Sequence, residues 1–248
     1  MKAILTYHSV DDSGSPISIS EDAFRRHVSW LTAHGPRVVD VDELLRLPPG
    51  QSAVALTFDD AFVNFGEIVW PLLRAHGLTA TLYVPTGHVG ATNTWGGAVQ
   101  PGIPTLSIMG WDALGRLSEE GVVLGSHTRS HAHLTRLPAA AVEDEMERSA
   151  LEMRDRLGVR PVGLAYPYGS CDGTIAAQAA RYYAHACTVD LRPLRAVEDP
   201  HLLPRLDAWY LKGEGMLEAW GTARLQLYLQ ARAAVRRCRS LLRSARTA

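Results

Sequence analysis

Short apolar runs alternate with amphipathic segments along most of the chain. The apolar runs are rich in Val, Leu, Thr and Tyr and lack a strict alternation of polar and apolar positions. This pattern is typical of strands that are covered on both faces. The predicted strands are residues 3–7, 38–39, 53–58, 79–84, 122–125, 163–166, 184–188 and 202–206.

Helical patterns lie between these runs. Ser20 is a suitable N-cap for a helix that ends before Gly35 and Pro36. Further helices are predicted over residues 63–75, 112–117 and 139–157, and the last has acidic early turns, basic late turns and a stop at Gly158. Strands that alternate with helices predict an α/β fold with a parallel sheet, and the length suits a barrel of the (β/α) type.

Composition narrows the class of protein. The 248 residues, 46% of them hydrophobic and 21% charged, suffice for one large domain with an ordinary core. The formal net charge of -1 predicts no nucleic-acid partner. Three cysteines at no metal-like spacing, no signal-like first segment and no run of 18 apolar residues favour a cytoplasmic protein without a membrane-spanning helix.

Two stretches depart from the alternation. Residues 86–107 are rich in Gly, Thr, Pro and Asn, which is typical of a long loop that forms a binding surface. Residues 213–248 are predicted to form a basic helical tail after a domain over residues 1–212. From residue 224 onward this tail contains only basic charges: Arg224, Arg232, Arg236, Arg237, Arg239, Arg243 and Arg246.

The tail also has apolar residues at helical spacing, so it resembles a helix that lies on a membrane surface. Contact with anionic lipid contributes on the order of 1 kcal/mol per basic residue, so several arginines could hold the protein at the inner face of the membrane. The alternative is a helix that packs against the barrel with its arginines in solvent.

Asp59 and Asp60 follow the predicted strand 53–58 directly. Catalytic groups of a parallel barrel lie at the carboxyl ends of its strands. Two adjacent carboxylates repel each other unless a cation or a proton separates their roles. The alternative is an N-cap for the following helix.

His127 and His131 follow the predicted strand 122–125. At this spacing they would point to the same side of a helical turn, close enough to bind one metal ion. The alternative is a chance pair or core packing. Two histidines and one carboxylate leave coordination positions free for water and substrate, as in hydrolytic metal sites.

The order of Thr57-Phe58-Asp59-Asp60 and His127-Thr128-Arg129-Ser130-His131 resembles the polysaccharide deacetylase family, also called carbohydrate esterase family 4 or the NodB-homology domain. The resemblance covers about residues 1–210 and implies a distorted (β/α) barrel of about seven strands. It also implies that Asp60, His127 and His131 bind a divalent metal, usually Zn²⁺, with Co²⁺ or Ni²⁺ as substitutes. Asp59 would be the general base that activates the hydrolytic water.

A third family motif is present with one departure. Ala165-Tyr166-Pro167-Tyr168-Gly169 has Ala165 where many relatives have an Arg that orients the base. By resemblance, the backbone N–H of Tyr168 would help to hold the oxyanion, a contribution of about 3 kcal/mol for such a donor. The alternative is an ordinary β-turn.

Arg205 and His8 are the candidates for the two remaining catalytic roles. Arg205 follows the last predicted strand and could pair with Asp59 in place of the missing Arg, or could pair with Asp207 at the surface. A leaving amine needs a general acid. His8 ends the first strand, and its Tyr7-His8 pair resembles the branch acting on biofilm poly-N-acetylglucosamine; the alternative is a packed, satisfied histidine.

The predicted function is therefore metal-dependent hydrolysis of an N-acetyl group from an acetylated sugar in a glycan, glycolipid or conjugate, including a lipid-linked one. The alternatives are an O-acetyl esterase or small-amide hydrolase that uses the same site, a catalytically dead sugar-binding module, and a membrane tether. Flat aromatic rings match the apolar faces of sugars, and the predicted substrate contacts are Trp95, Trp111, Tyr166 and Pro167.

Overall fold

Eight parallel strands, seven of them in one continuous path, form a curled sheet in the computed structural model. The structure describes residues 1–247 and their side chains as far as Arg236, with Cys238 in addition. The strand order across the sheet is β10-β1-β5-β6-β7-β8-β9, and β4 pairs with β5 outside this path. These strands are β1 (Lys2–Tyr7), β4 (Arg37–Val39), β5 (Ala53–Phe58), β6 (Thr81–Val84), β7 (Val123–Ser126), β8 (Gly163–Ala165), β9 (His185–Cys187) and β10 (Leu206–Asp207). β2 (Ser9–Val10) and β3 (Ser18–Ile19) form a separate pair.

β5, which precedes Asp59 and Asp60, pairs with strands on both of its edges. One of its edges pairs with β1 over the whole length, from Lys2 opposite Ala53 to Tyr7 opposite Phe58. The other edge pairs first with β4 and then with β6. The residues that follow β1, β5 and β6 therefore meet at one end of the sheet.

The stretch 203–207 brings the two edges of the sheet together. Leu203 forms a parallel bridge with Cys187 of β9, and Leu206 pairs with Leu5 of β1. Because one short segment contacts both edge strands, the sheet curls towards closure. The predicted distorted (β/α) barrel is confirmed, although the last strand, predicted over 202–206, is reduced to Leu206–Asp207.

The helices cover the outer face of the sheet. Ser20 caps the first helix as predicted, since its side chain accepts from the backbone N–H of Ala23. The helix predicted over 63–75 begins instead as a π-helical turn, Phe65–Val69. The α-helices are α1 (Glu21–Ala33), α2 (Val41–Arg46), α3 (Trp70–Ala75), α4 (Trp111–Glu119), α5 (Ala139–Leu157), α6 (Gly173–Ala179) and α7 (Ala223–Thr247).

Alternate residues of β1 contribute to different cores. Ala3 and Leu5 belong to the main core beneath the helices, whereas Ile4 packs inside the barrel with Tyr83. The interior leaves room for large side chains because small residues face it. At Gly125, an added Cβ would lie 2.5 Å from the Tyr83 ring.

The first turns of α7 pack against the barrel. Leu225 and Leu229 are buried in the main core, and the Tyr228 hydroxyl donates to the carbonyl of Tyr210 at 3.0 Å. No helix within residues 1–247 is long and apolar enough to cross a membrane. The side chains of Arg237, Arg239, Arg243 and Arg246 from the predicted basic tail lie outside the described residues.

Candidate metal centre and active site

The predicted catalytic residues meet at the carboxyl ends of the strands. His8 follows β1, Asp59 and Asp60 follow β5, and His127 follows β7. These residues line a cavity of about 130 Å³, together with His131 from the loop after β7. The end of the sheet thus carries ionisable groups from three strands that are distant in sequence.

Asp60, His127 and His131 have the chemistry and spacing of a metal site. Their ligand atoms all lie within 4.8 Å of one another, and all three residues are buried. The Oδ1 atom of Asp60 lies 3.5 Å from Nε2 of His127 and 3.2 Å from Nε2 of His131, yet this buried oxygen has no hydrogen-bond partner. A divalent cation fits this donor set, since it would satisfy a buried acceptor that the protein leaves unpaired.

The protonation states also suit a metal. Burial would raise the pKa of Asp60, but the nearby side chains of His131, His127 and His8 lower it. Burial lowers the pKa of His127 to about 4. The site therefore presents a carboxylate and a neutral imidazole, which are the forms that bind metal.

His127 is held with one ring nitrogen towards this cluster. Its Nδ1 lies 2.8 Å from the carbonyl oxygen of Ala165, and because a carbonyl can only accept, Nδ1 carries the hydrogen. Nε2 then carries the free lone pair, and it faces Asp60. Such a hydrogen bond to the second nitrogen is typical of metal-binding histidines.

The prediction of a helical turn between His127 and His131 is wrong. The residues that follow β7 form a loop in which Thr128 (φ 62°) and His131 (φ 57°) adopt left-handed backbone conformations. The carboxylate of Glu145 holds this loop, since it accepts from the backbone N–H groups of Arg129 and Ser130 at 2.9 and 2.7 Å. The histidines converge because the loop reverses, and not because of helical periodicity.

Arg205 forms a two-pronged ion pair with Asp59. Nη1 and Nη2 each lie 2.7 Å from one carboxylate oxygen, and Nε donates to the carbonyl of Thr188 at 3.0 Å. Burial acts to raise the pKa of Asp59, but the charge and hydrogen bonds of Arg205, together with His127 and His8, outweigh it and hold this pKa well below its usual range. Arg205 is only 1% exposed, so it does not lie at the surface beside Asp207.

His8 approaches Asp59 from the open side of the cavity. Its Nε2 lies 3.8 Å from Oδ2 of Asp59, and a quarter of its side chain is exposed. The ring is therefore accessible to a bound substrate. This placement differs from the packed position that was the alternative.

Aromatic rings from the 86–107 loop and the β8 turn surround His131. Trp95 stacks on the imidazole with centroids 4.0 Å apart, and Tyr168 contacts its edge at 4.7 Å. Gln100 links the loop to the β8 turn, since its Nε2 donates to the Tyr168 hydroxyl at 3.0 Å. The predicted binding loop is thus in contact with His131 of the Asp-His-His cluster.

The other predicted substrate contacts are placed differently. Tyr166 lines the cavity although its side chain is buried, and it donates its hydroxyl to the carbonyl of His201 at 3.0 Å. Pro167 is buried in the same turn and is not part of the cavity lining. Trp111 begins α4 and packs partly buried against the main core, so the structure does not bring it to the cavity.

Sequence reasoning missed several residues of the cavity. The side chain of Asn93 spans the loop, donating to Pro104 and accepting from the backbone of Leu106. His133 does not line the cavity, but it stacks on Tyr168 with centroids 3.8 Å apart. The loop composition indicated the region but could not indicate which side chains face inward; those not predicted are Ile17, Asn93, Gln100, Ile103 and Val189.

Known proteins share this sequence pattern. The family model for polysaccharide deacetylase matches residues 46–186. A Bacillus subtilis protein named "Putative polysaccharide deacetylase YxkH" is 22% identical over 67% of this chain and 56% of its own length. The poly-beta-1,6-N-acetyl-D-glucosamine N-deacetylase of Staphylococcus epidermidis is 22% identical over 82% of this chain and 72% of its own length.

Solved structures share the fold. IcaB from Ammonifex degensii has a TM-score of 0.71 at 22% identity and covers 84% of this chain and 93% of its own. The Streptococcus pyogenes deacetylase PplD, solved with acetate, has a TM-score of 0.70 at 21% identity, covering 83% and 91%. With the family match spanning more than half of the residues, this chain belongs to the polysaccharide deacetylase family.

Proposed function

We propose that this protein is a metal-dependent hydrolase that removes the N-acetyl group from an N-acetylhexosamine unit of a glycan, glycolipid or sugar conjugate. One observation carries the proposal. A buried Asp-His-His cluster and a separate carboxylate, clamped by a buried arginine, face the same small cavity. A binding module has no need for two carboxylates held in such different ways.

Asp60, His127 and His131 would hold the cation, with Zn²⁺ the first choice and Co²⁺ or Ni²⁺ able to occupy the same donors. A divalent metal at such a site supplies Lewis-acid polarisation of a carbonyl and lowers the pKa of water. The Ala165 carbonyl orients the His127 ring, and the Glu145 carboxylate fixes the loop that carries His131.

Asp59 is the proposed general base. Its two oxygens are fixed by Arg205, so the carboxylate remains ionised and cannot rotate away from the attacking water. Arg205 reaches it from the barrel-closing stretch and is the proposed substitute for the arginine that many relatives have at Ala165. Because Arg205 acts through Asp59, it is a positioning residue.

His8 and Tyr168 are the proposed groups for the tetrahedral state and the leaving amine. His8 lies on the open side of Asp59 and can hold a proton for the departing nitrogen. The left-handed conformation of Tyr168 (φ 59°) turns the backbone of the β8 turn at the cavity, and its N–H is the proposed oxyanion donor. Trp95 offers an apolar ring beside His131 for the sugar face.

The location of the enzyme and its lipid contacts are part of the same proposal. No acidic residue follows Glu218, while seven arginines do, and these would favour a cytoplasmic enzyme at an anionic membrane surface. Binding to vesicles with and without anionic lipid tests this point. The expected result is retention that a chain truncated after residue 236, which keeps the packed Leu225 and Leu229, reduces or loses, while equal retention of both chains contradicts it.

Acetate release tests the activity. Short N-acetylglucosamine oligomers, nucleotide- and lipid-linked N-acetylhexosamines and an acetylated xylan are assayed after chelation and after zinc return. We expect zinc-restored release from an N-acetyl substrate that the Asp59→Asn variant does not catalyse. Release from xylan alone would identify an O-acetyl esterase, and zinc binding without any release would remove support for catalysis.

A further inference from the structure

The two histidines of the Asp-His-His cluster are supported in different ways. Nδ1 of His127 lies 2.8 Å from the carbonyl oxygen of Ala165, which fixes the ring. Nδ1 of His131 is buried and has no hydrogen-bond partner among the described residues. His131 therefore lacks the hydrogen bond that usually orients a metal-binding imidazole. Its position depends on its own backbone and on the packing of Trp95 and Tyr168 against the ring.

A backbone contact fixes one side of the loop that carries His131. The N–H of Gly87, which follows β6, donates to the carbonyl of Arg129 at 2.8 Å. A Cβ on Gly87 would also lie 2.8 Å from this oxygen, so the close approach requires a glycine. The Arg129 carbonyl therefore has no room to move towards β6.

One side chain, Glu145 of α5, holds the other side of this loop. Its Oε2 accepts from the backbone N–H groups of Arg129 and Ser130 at 2.9 and 2.7 Å, and its Oε1 accepts from the Ser130 hydroxyl at 2.5 Å. His131 follows directly in a left-handed conformation (φ 57°), which local backbone preference opposes. Loss of Glu145 would leave two N–H groups without their acceptor and would allow this backbone to relax.

We propose that Glu145 is a positioning residue that sets the affinity of the site for a divalent metal, acting through the backbone that carries His131. This role rests on the metal dependence proposed above. Asp60 and His127 gain a third protein ligand for the metal only where His131 keeps its place. Residues that orient metal ligands in this indirect way are typically worth about 10–100-fold in metal affinity.

Replacement of Glu145 by Gln separates hydrogen bonding from charge. Both backbone N–H groups bind the same carboxylate oxygen, so the carboxamide oxygen of Gln can accept from both. Its amide nitrogen can then donate to the Ser130 hydroxyl, because a hydroxyl accepts as well as donates. Met provides no comparable acceptor. Asp keeps the charge but is one methylene shorter, so it does not reach both N–H groups from the same position.

The test is the zinc dissociation constant of the full chain at pH 7, measured by competition with a chromophoric chelator. We expect Glu145→Gln to bind zinc within about threefold of the unaltered protein, and Glu145→Met to bind about 10–100-fold more weakly. The matched control is Glu152→Met. Glu152 lies about two turns further along α5 and contacts the same loop through the side chain of Arg129, at 3.0 Å. This control should bind zinc like the unaltered protein.

A double-variant cycle shows whether the effect of Glu145 passes through His131. In a His131→Gln chain the third ligand is already lost, so adding Glu145→Met should change the residual zinc affinity by less than about twofold. In a His127→Gln chain His131 is still present, and Glu145→Met should weaken zinc binding further. A merely structural role of Glu145 would lower the affinity equally in both backgrounds, which would contradict a role through His131.

Equal zinc affinity of the unaltered chain and Glu145→Met would overturn the positioning role, and so would equal losses in Glu145→Gln and Glu145→Met. Guanidinium unfolding of the metal-free chains shows whether each variant folds. Where Glu145→Met does not fold, Glu145→Asp replaces it, with the same expected loss of affinity and the same overturning result. A lack of zinc binding by the unaltered chain would refute the proposed metal dependence together with this role, whereas zinc binding that is indifferent to Glu145 would refute this role alone.

Discussion

Replacement of Arg205 by Met removes the positive partner of a carboxylate that has almost no contact with water. Asp59 is 2% exposed and receives both terminal nitrogens of Arg205 at 2.7 Å. Met keeps the apolar stem of the side chain but lacks the guanidinium, so the loss is mainly one of charge and hydrogen bonding. Breaking a buried pair from one side costs roughly 3–5 kcal/mol.

An independent bound agrees with this magnitude. Asp59 without its partner can be neutralised by a proton, and protonating a carboxyl of pKa about 3.9 at pH 7 costs about 4 kcal/mol. The penalty from the charge therefore cannot greatly exceed about 4 kcal/mol. Since the stability of a domain is about 5–15 kcal/mol, the variant should lose a large part of it.

The assay is guanidinium-induced unfolding of the metal-free protein at pH 7, with Arg205→Met, Asp59→Asn and the double variant. We expect a coupling free energy of about 2 kcal/mol or more, because the second replacement removes a charge that the first left unpaired. The control is Arg154→Met. Arg154 and its partner Asp155 are both more than half exposed, so the unfolding midpoint of this variant should hardly change.

A loss below about 1 kcal/mol in Arg205→Met, with no coupling to Asp59→Asn, would refute this reasoning. It would mean that water reaches the carboxylate and replaces the guanidinium. The catalytic assignment of Arg205 would then also lack its physical basis, since a solvated carboxylate needs no clamp to stay ionised.

Three further predictions concern other residues. His127→Gln should lower the zinc bound per chain, measured by mass spectrometry after dialysis, and binding equal to the unaltered protein would exclude it as a ligand. Burial lowers the pKa of His27 to about 4, so the unfolded chain takes up a proton on this histidine at a higher pH than the folded chain does. His27 should therefore cost about 3 kcal/mol of folding stability as the pH falls from about 6.5 to about 4. Urea unfolding of His27→Gln should lack this contribution. Gly163→Ala places a Cβ 2.1 Å from Nε2 of His185, which should cost about 1–3 kcal/mol in thermal unfolding, whereas Gly173→Ala, with open space around it, should not.

The strand and helix order could be predicted because burial determines it. The run 53–58 was predicted to the residue, since all six side chains are buried and none is charged. Helix 139–157 was also predicted with its correct ends, because Gly158 stops it in a left-handed conformation. The last strand was less accurate, since residues 203–205 bridge to other strands through isolated contacts that leave no periodic pattern.

Long-range partners were harder to predict than elements. The missing arginine at Ala165 made Arg205 a candidate partner of Asp59, with a surface position beside Asp207 as the alternative, and the structure brings Arg205 and Asp59 together across 146 residues. Trp111 carried the same aromatic signal as Trp95, yet only Trp95 reaches the cavity. Composition marks an aromatic residue as a possible sugar contact, but the backbone path of the loop decides which ring faces the site.

The helical turn predicted between His127 and His131 was wrong for a physical reason that applies to the whole site. Outside glycine, left-handed backbone conformations occur among the described residues at five positions, and all lie in the loops that carry the ligands and the β8 turn: Asp60, Ala61, Thr128, His131 and Tyr168. Each costs of order 1–3 kcal/mol and persists only where surrounding contacts enforce it. Local preference, which is all that periodicity records, opposes these conformations, so sequence patterns must mispredict the backbone there. The contacts that enforce them are non-local, such as the Glu145 carboxylate on the histidine loop. Strain is concentrated where ligand atoms must converge, and this concentration supports a site built for chemistry independently of any resemblance.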